Sequence, residues 1–159
     1  MVRKPFIEKM TELAKRDERV LLVIGDMGFT YMQDYIQKFP KQFLNIGVLE
    51  QTMMGAVYGL SIAGWKPYVY TMINFIIFRP YEQVRNDLCH QNANVKLFGV
   101  GGSVGYNFMG FGHNVVGDEE ERLLGHLPNL NRYYPKTEEE TKKIMEKEYH
   151  RQGPSYMRL

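Results

Sequence analysis

Residues 43–64, FLNIGVLEQTMMGAVYGLSIAG, pass from a short apolar strand pattern (FLNIG, 43–47) almost directly into a helical one. From Glu50 onward, Met53, Met54, Val57 and Leu60 recur on one helical face, and Gly64 supplies the expected terminator. A strand that feeds a helix is the repeating unit of parallel α/β sheets. The question is whether the same alternation extends in both directions.

Upstream, Phe6, Met10 and Leu13 lie at helical spacing between Pro5 and Arg16, and VLLVIGD (20–26) reads as a buried strand ending in a polar loop. TYMQDYIQKF (30–39) is a second helix, stopped before Pro40. Downstream, KPYVYTMI (66–73) is β-branched and aromatic, hence a strand, and Pro80 can open a helix with apolar positions Tyr81, Val84 and Leu88. VKLFGVGG (95–102) is a further buried strand, opening into a glycine-rich loop that runs to Gly117. DEEERLLGHL (118–127) is a short helix with acids at its start, and RYYP (132–135) is a brief strand. Thr137 and Glu140 form a capping box for TEEETKKIMEKEYHR, and PSYMRL (154–159) closes with a strand. Six strands separated by helices predict an α/β fold, because parallel neighbours need crossover connections and those are usually helical. The expectation is a parallel six-stranded sheet with helices on both faces, forming one domain over residues 1–159.

Bulk properties narrow the function. The chain has 159 residues, 44% hydrophobic and 24% charged, with a formal charge of +2 and no basic stripe, which argues against nucleic acid as a partner. No apolar run approaches the roughly 18 residues a membrane span needs, and the start MVRKPFIEKM lacks a signal-peptide core, so no membrane partner and a cytoplasmic location are expected. Cys89 is the single cysteine, which excludes an internal disulfide and a cysteine-based metal cluster.

In a sheet of this kind ligands bind beyond the carboxyl ends of the strands, where Asp26, Glu50, Asn74 and the 101–117 loop all fall. An acid in a first turn is favoured by the helix dipole alone, so Glu50 has a plain structural explanation. Its helix, however, carries Gly55, Ala56, Gly59, Ala63 and Gly64, small residues that allow a second backbone or a flat ligand to approach closely. A carboxyl buried there without a cationic partner could hold and share a proton. Phe75 and Phe78 in NFIIFRP (74–80) are either core or the wall of a pocket for a planar heterocycle. The loop GGSVGYNFMGFGHNVVGD has six glycines but matches neither the dinucleotide fingerprint nor the P-loop, and its one histidine is His113. His90, His126 and His150 have no metal-ligand spacing, so no metal is expected on this chain alone, and no serine- or cysteine-centred nucleophile motif appears.

FPKQFLNIGVLEQTMMGAVYGLSIAG resembles the segment that carries the catalytic glutamate of transketolase-like, thiamine-diphosphate-dependent enzymes. VLLVIGDM, YTMINFIIFRPYEQVRND, GFGHNVVGDEE, LPNLNRYYPKTEEET and GPSYMRL resemble, in order, the other landmarks of the same pyrimidine-binding domain. The resemblance implies that Glu50 hydrogen-bonds the N1′ nitrogen of the aminopyrimidine and so promotes the tautomer that activates the cofactor's thiazolium carbon. It places Phe75 and Phe78 around the pyrimidine, Met72 where many relatives have another aromatic, and Asp26 and Met27 in the acidic loop beside the cofactor. His113 corresponds to a substrate-facing histidine, whereas Gly101 and Met109 stand where transketolases carry a sugar-contacting histidine and aspartate.

The diphosphate-binding signature, GDG with a later Asn, is missing; Gly25 begins only GDMG. The resemblance therefore implies a stand-alone subunit of a split, two-component enzyme. The diphosphate-binding domain, with its Mg2+ or Ca2+, would lie on a partner subunit in a heterotetramer, and the chain is expected to lack the carboxy-terminal transketolase domain as well. The implied reaction moves a ketol or acyl unit between small carbonyl substrates. Alternatives are a 2-oxo acid decarboxylase component, a non-catalytic assembly subunit, or a generic nucleotide-binding α/β domain.

Overall fold

The computed structural model describes residues 3–101 and 111–159. In chain order the elements are α1 (Arg3–Arg16), β1 (Val20–Ile24), α2 (Phe29–Lys38), β2 (Phe43–Asn45), α3 (Glu50–Ile62), β3 (Lys66–Met72) and α4 (Ile73–Ile77). There follow α5 (Tyr81–Gln83), continued by a π-helical stretch (Val84–His90), then β4 (Lys96–Val100), α6 (Glu119–Gly125), β5 (Asn131–Tyr133), α7 (Glu138–His150) and β6 (Ser155–Arg158). The six strands form one sheet in the order β2-β1-β3-β4-β6-β5, and every pairing is parallel. The expected α/β architecture is the observed one.

Alternation along the strands divides the core into two layers. Val20, Leu22 and Ile24 of β1, with Tyr68 and Tyr70 of β3, face Phe6, Met10 and Leu13 of α1, Met32 and Tyr35 of α2 and Met145 of α7. Leu21, Val23 and Val69 face the other way, onto Met53, Met54 and Val57 of α3, Ile73, Ile76 and Ile77 of α4 and Val84 and Leu88. Phe6 binds the first layer together by packing on both Tyr70 and Phe98, with ring centroids 5.3 and 4.7 Å away.

Local signals set several boundaries as expected. Gly64, at φ 91°, ends α3 in a Schellman motif, with Gly64 N–H donating to Ser61 O and Trp65 N–H to Leu60 O. Thr137 and Glu140 make the reciprocal capping box at the start of α7. One segment differs from the sequence reading. The strand ends at Met72, and residues 73–77 turn at once into α4, because Ile73, Ile76 and Ile77 then all reach the core. The next helix widens to π geometry, which buries Val84, Leu88 and Cys89 together.

Gly99 of β4 leaves no room for a side chain. A Cβ there would lie 2.7 Å from Tyr156 Oη and 3.3 Å from the Ile73 backbone. Gly99→Ala should therefore destabilise the chain by roughly 1–3 kcal/mol, read as a lower denaturation midpoint.

Candidate active site

β1 lies between β2 and β3, so the strand order reverses at β1, and in a parallel sheet that switch point, beyond the carboxyl ends of the strands, is where ligands bind. The loops that follow β1, β2 and β3 supply this edge.

Glu50 is the first residue of α3, at the end of the dipole that favours a negative charge. Its side chain is only 1% exposed, which a solvated first-turn acid would not be. Arg79 Nη1 donates to Glu50 Oε2 at 2.8 Å. The second oxygen, Oε1, is buried and has no hydrogen-bond partner among the described residues. The carboxylate thus has one oxygen committed to a cation and one left to accept an N–H from outside. Leaving such an atom unmet is costly, which points to a ligand that meets it.

The guanidinium carbon of Arg79 lies 3.6 Å from the centroid of Phe75, and the His113 ring meets Phe75 edge-on at 5.2 Å. Glu50, Arg79, Phe75 and His113 therefore form one chain of contacts across α3, α4 and the short turn Phe111–His113. Glu50 and Arg79 also line an open hollow of about 460 Å³ with Val48, Leu49, Gln51 and Thr52. Val48 and Leu49 are exposed there beside Gln51, Thr52 and Arg79, so the mouth of the hollow is part apolar and part polar.

The remaining predicted residues are placed around this group. Asp26 adopts a left-handed backbone (φ 54°), and its Oδ1 accepts from Asn45 Nδ2 while its N–H donates to Asn45 Oδ1, both at 3.0 Å. Asn45 Oδ1 also accepts from Gly47 N–H. One side chain thereby clips the loop after β1 to the loop that leads to Glu50. Met27 follows, half-buried against the α1 and α2 core layer, and Met72 is buried as the last residue of β3. Phe78 is 43% exposed and lines a second hollow with Asn74, Asn114, Val116 and Glu119. Met109 and most of the glycine-rich loop, residues 102–110, lie outside the described residues.

Arg79 is the member that sequence reasoning missed. It is the only charge in the run YVYTMINFIIFRP (68–80), and a lone cation in an apolar run near a buried acid is the signal that could have found it. Cys89 offers no competing nucleophile, because burial pushes its thiol up to about 12. Among the described residues no cluster of His, Cys, Asp and Glu could hold a metal ion, and no helix is long and apolar enough to cross a membrane.

Comparison with known proteins gives this edge a context. The family model described as "Transketolase, pyrimidine binding domain" matches residues 1–159. One of the subunits of the apulose-4-phosphate transketolase of Phocaeicola vulgatus is 32% identical over 158 residues, which is 99% of this chain and 50% of that protein. The 1-deoxy-D-xylulose-5-phosphate synthase of Halalkalibacterium halodurans is 31% identical over 151 residues, covering 88% of this chain and 23% of that one. Among solved structures, one titled "Split gene transketolase, inactive beta4 tetramer" superposes with a TM-score of 0.87 at 28% identity, covering 99% of this chain and 50% of that one. The chain thus spans about half the length of the Phocaeicola vulgatus relative it matches. With its parallel sheet and a match along its whole length, this chain belongs to the transketolase pyrimidine-binding domain family.

Proposed function

We propose that this chain supplies the pyrimidine-binding half of the active site of a two-component, thiamine-diphosphate-dependent transketolase-like enzyme, which transfers a ketol or acyl unit to an aldehyde or sugar acceptor. The observation that carries the reading is Glu50, a buried carboxylate whose Oε1 has no hydrogen-bond partner among the described residues and whose partner Arg79 lies over the Phe75 ring. An aminopyrimidine suits those residues, since its ring nitrogen can meet Oε1 and its flat face can lie on Phe75. When bound, the cofactor supplies a carbon nucleophile and an electron sink for cleaving and forming bonds next to a carbonyl.

This chain's own contribution is positioning and proton control. Glu50 offers Oε1 to the pyrimidine ring nitrogen as the atom at which a proton passes between the two. Phe75 provides ring surface and Phe78 a second ring at the neighbouring hollow, Met27 and Met72 provide apolar packing, and Asp26 fixes the loop that carries Met27 through its clip to Asn45. His113, in contact with Phe75, is the hydrogen-bonding or proton-carrying group for the substrate. The diphosphate and its Mg2+ or Ca2+ are assigned to the partner subunit. The relatives named as subunits of an apulose-4-phosphate transketolase support a divided enzyme of this kind.

The test is reconstitution with a chain that carries the diphosphate half, assayed with and without thiamine diphosphate. Cofactor-dependent ketol transfer to an aldehyde is expected. Release of carbon dioxide from pyruvate without ketol transfer would assign the complex to 2-oxo acid decarboxylation. Turnover indifferent to thiamine diphosphate would overturn the proposal.

A further inference from the structure

Arg79 sits beside one of the surfaces a bound aminopyrimidine would use and covers the other: it takes Oε2 of Glu50, leaving Oε1, and lies on the Phe75 face. Its guanidinium donates to Glu50 at 2.8 Å and lies over Phe75 at 3.6 Å. A guanidinium and an N1′-protonated aminopyrimidine have much in common: each is flat and positively charged, and each presents N–H donors in its own plane. The Glu50 carboxylate can serve both, Arg79 at Oε2 and a ring nitrogen at Oε1, but the Phe75 face can stack only one of them.

Arg79 is also free to leave. Its side chain is 43% exposed and borders the open hollow of about 460 Å³, so a rotation about its own stem carries the guanidinium into solvent without moving core residues. Glu50 cannot follow, being 1% exposed and fixed at the start of α3. The pair therefore joins a fixed anion to a displaceable cation. A buried carboxylate left without any cation is strongly unfavourable, so the fold benefits from Arg79 for as long as nothing else meets Glu50.

We infer that Arg79 is a displaceable cover on the Phe75 face, anchored at Glu50 Oε2, which the aminopyrimidine moves aside on binding, and that it so sets the apparent cofactor affinity. The inference rests on the reading of Glu50 given under Proposed function. Cofactor binding then includes the step of releasing Arg79, and the observed dissociation constant is the intrinsic one divided by the fraction of molecules in which Arg79 has already swung out.

The test is a titration of the assembled enzyme with thiamine diphosphate and Mg2+, followed by calorimetry, for the wild type, Arg79→Met, Arg79→Lys and Glu50→Gln. Arg79→Met keeps the apolar stem and removes the competing cation. Its apparent affinity should rise on the order of tenfold, the change expected if the swung-out state is about one-tenth populated. Arg79→Lys should fall between, because an ammonium pairs with Glu50 but does not stack as a plane. Arg79→Met should also melt below the wild type without cofactor, and the gap should close at saturation; a purely structural arginine would leave the gap unchanged. Unchanged or weakened affinity in Arg79→Met overturns the inference. If Glu50→Gln binds cofactor and turns over like the wild type, the underlying reading of Glu50 fails instead, so the two failures are distinguishable.

Discussion

Glu50→Gln should lower the thiamine-diphosphate-dependent turnover of the assembled enzyme by roughly 10²- to 10⁴-fold, the usual contribution of a well-placed proton-transfer group. Glutamine keeps the shape of the side chain, and its carbonyl oxygen can still accept from Arg79 Nη1, which donates to Glu50 Oε2 in the parent chain. What it loses is the ability to hold or release a proton at Oε1. The fall should therefore lie in kcat, while circular dichroism and the melting temperature change little. Glu50→Ala should be worse on both counts, since it also strips Arg79 of its anion and opens space at the start of α3. Turnover close to wild type in the glutamine variant would remove Glu50 from the chemistry and return it to the role of a helix-start acid.

The contrast between Glu50 and its surroundings shows what a sequence can and cannot reveal here. Glu50 was legible because its signals are local: a strand pattern before it, a helical pattern after it and small residues on the same helix. The Schellman ending at Gly64 and the capping box at Thr137 were legible for the same reason, each being fixed by residues within one turn. Arg79 was not, because its meaning depends on a contact with a residue 29 positions away that only the sheet order creates. The same holds for Asn45, which looks like an ordinary strand-end amide until the fold sets it against Asp26. The two phenylalanines show a third limit. Spacing of three residues predicts a shared face, yet Phe75 takes the Arg79 guanidinium while Phe78 borders a different hollow, since α4 is only five residues long and the chain turns away after it.

These cases share a physical pattern at the binding edge. Periodicity reports which side of an element is buried, and it reported that well for α1 and for Met53, Met54 and Val57 of α3. It says nothing about which polar atom meets which. The polar contacts that define this edge join loops after three different strands, so their partners follow from topology and not from spacing. Glu50 Oε1 carries this one step further, because its partner is not found among the described residues at all.

The opposite edge of the sheet predicts the largest effect on stability. Lys96 begins β4 and is almost wholly buried; its Nζ donates to Gly153 O at 2.6 Å, Arg151 O at 3.0 Å and Glu148 Oε2 at 3.3 Å. Glu148 in turn accepts from Arg151 Nε at 2.9 Å, Tyr133 Oη at 2.7 Å and Asn131 Nδ2 at 3.4 Å. One carboxylate thus ties β4, β5, α7 and the turn before β6. Glu148→Ala leaves the Lys96 ammonium buried without its anion and should cost roughly 3–5 kcal/mol. In a chain of this size that is a fall in Tm on the order of 10 °C.

The pH dependence has a definite sign for each partner. Burial alone would raise the Glu148 pKa, but hydrogen bonds from Arg151 and Tyr133 and the charge of Lys96 outweigh it and hold the carboxyl at about 2. Its stabilisation is present above the ordinary carboxylate range and is lost as pH falls toward 2, so Glu148→Gln should flatten that acid limb. Burial lowers Lys96 to about 8, against the opposing pull of Glu148. Between that value and the ordinary lysine range the unfolded chain binds more protons, so stability from this group rises with pH above about 8 and Lys96→Met should abolish the rise. Urea unfolding at several pH values measures all three variants. A loss below about 1 kcal/mol for Glu148→Ala would mean the pair behaves as an exposed one and does not brace the sheet. Because Lys96 and Ser155 start their strands while Glu50 lies beyond the end of β2, these substitutions should leave cofactor-dependent turnover per folded molecule unchanged, the reverse of what Glu50→Gln does.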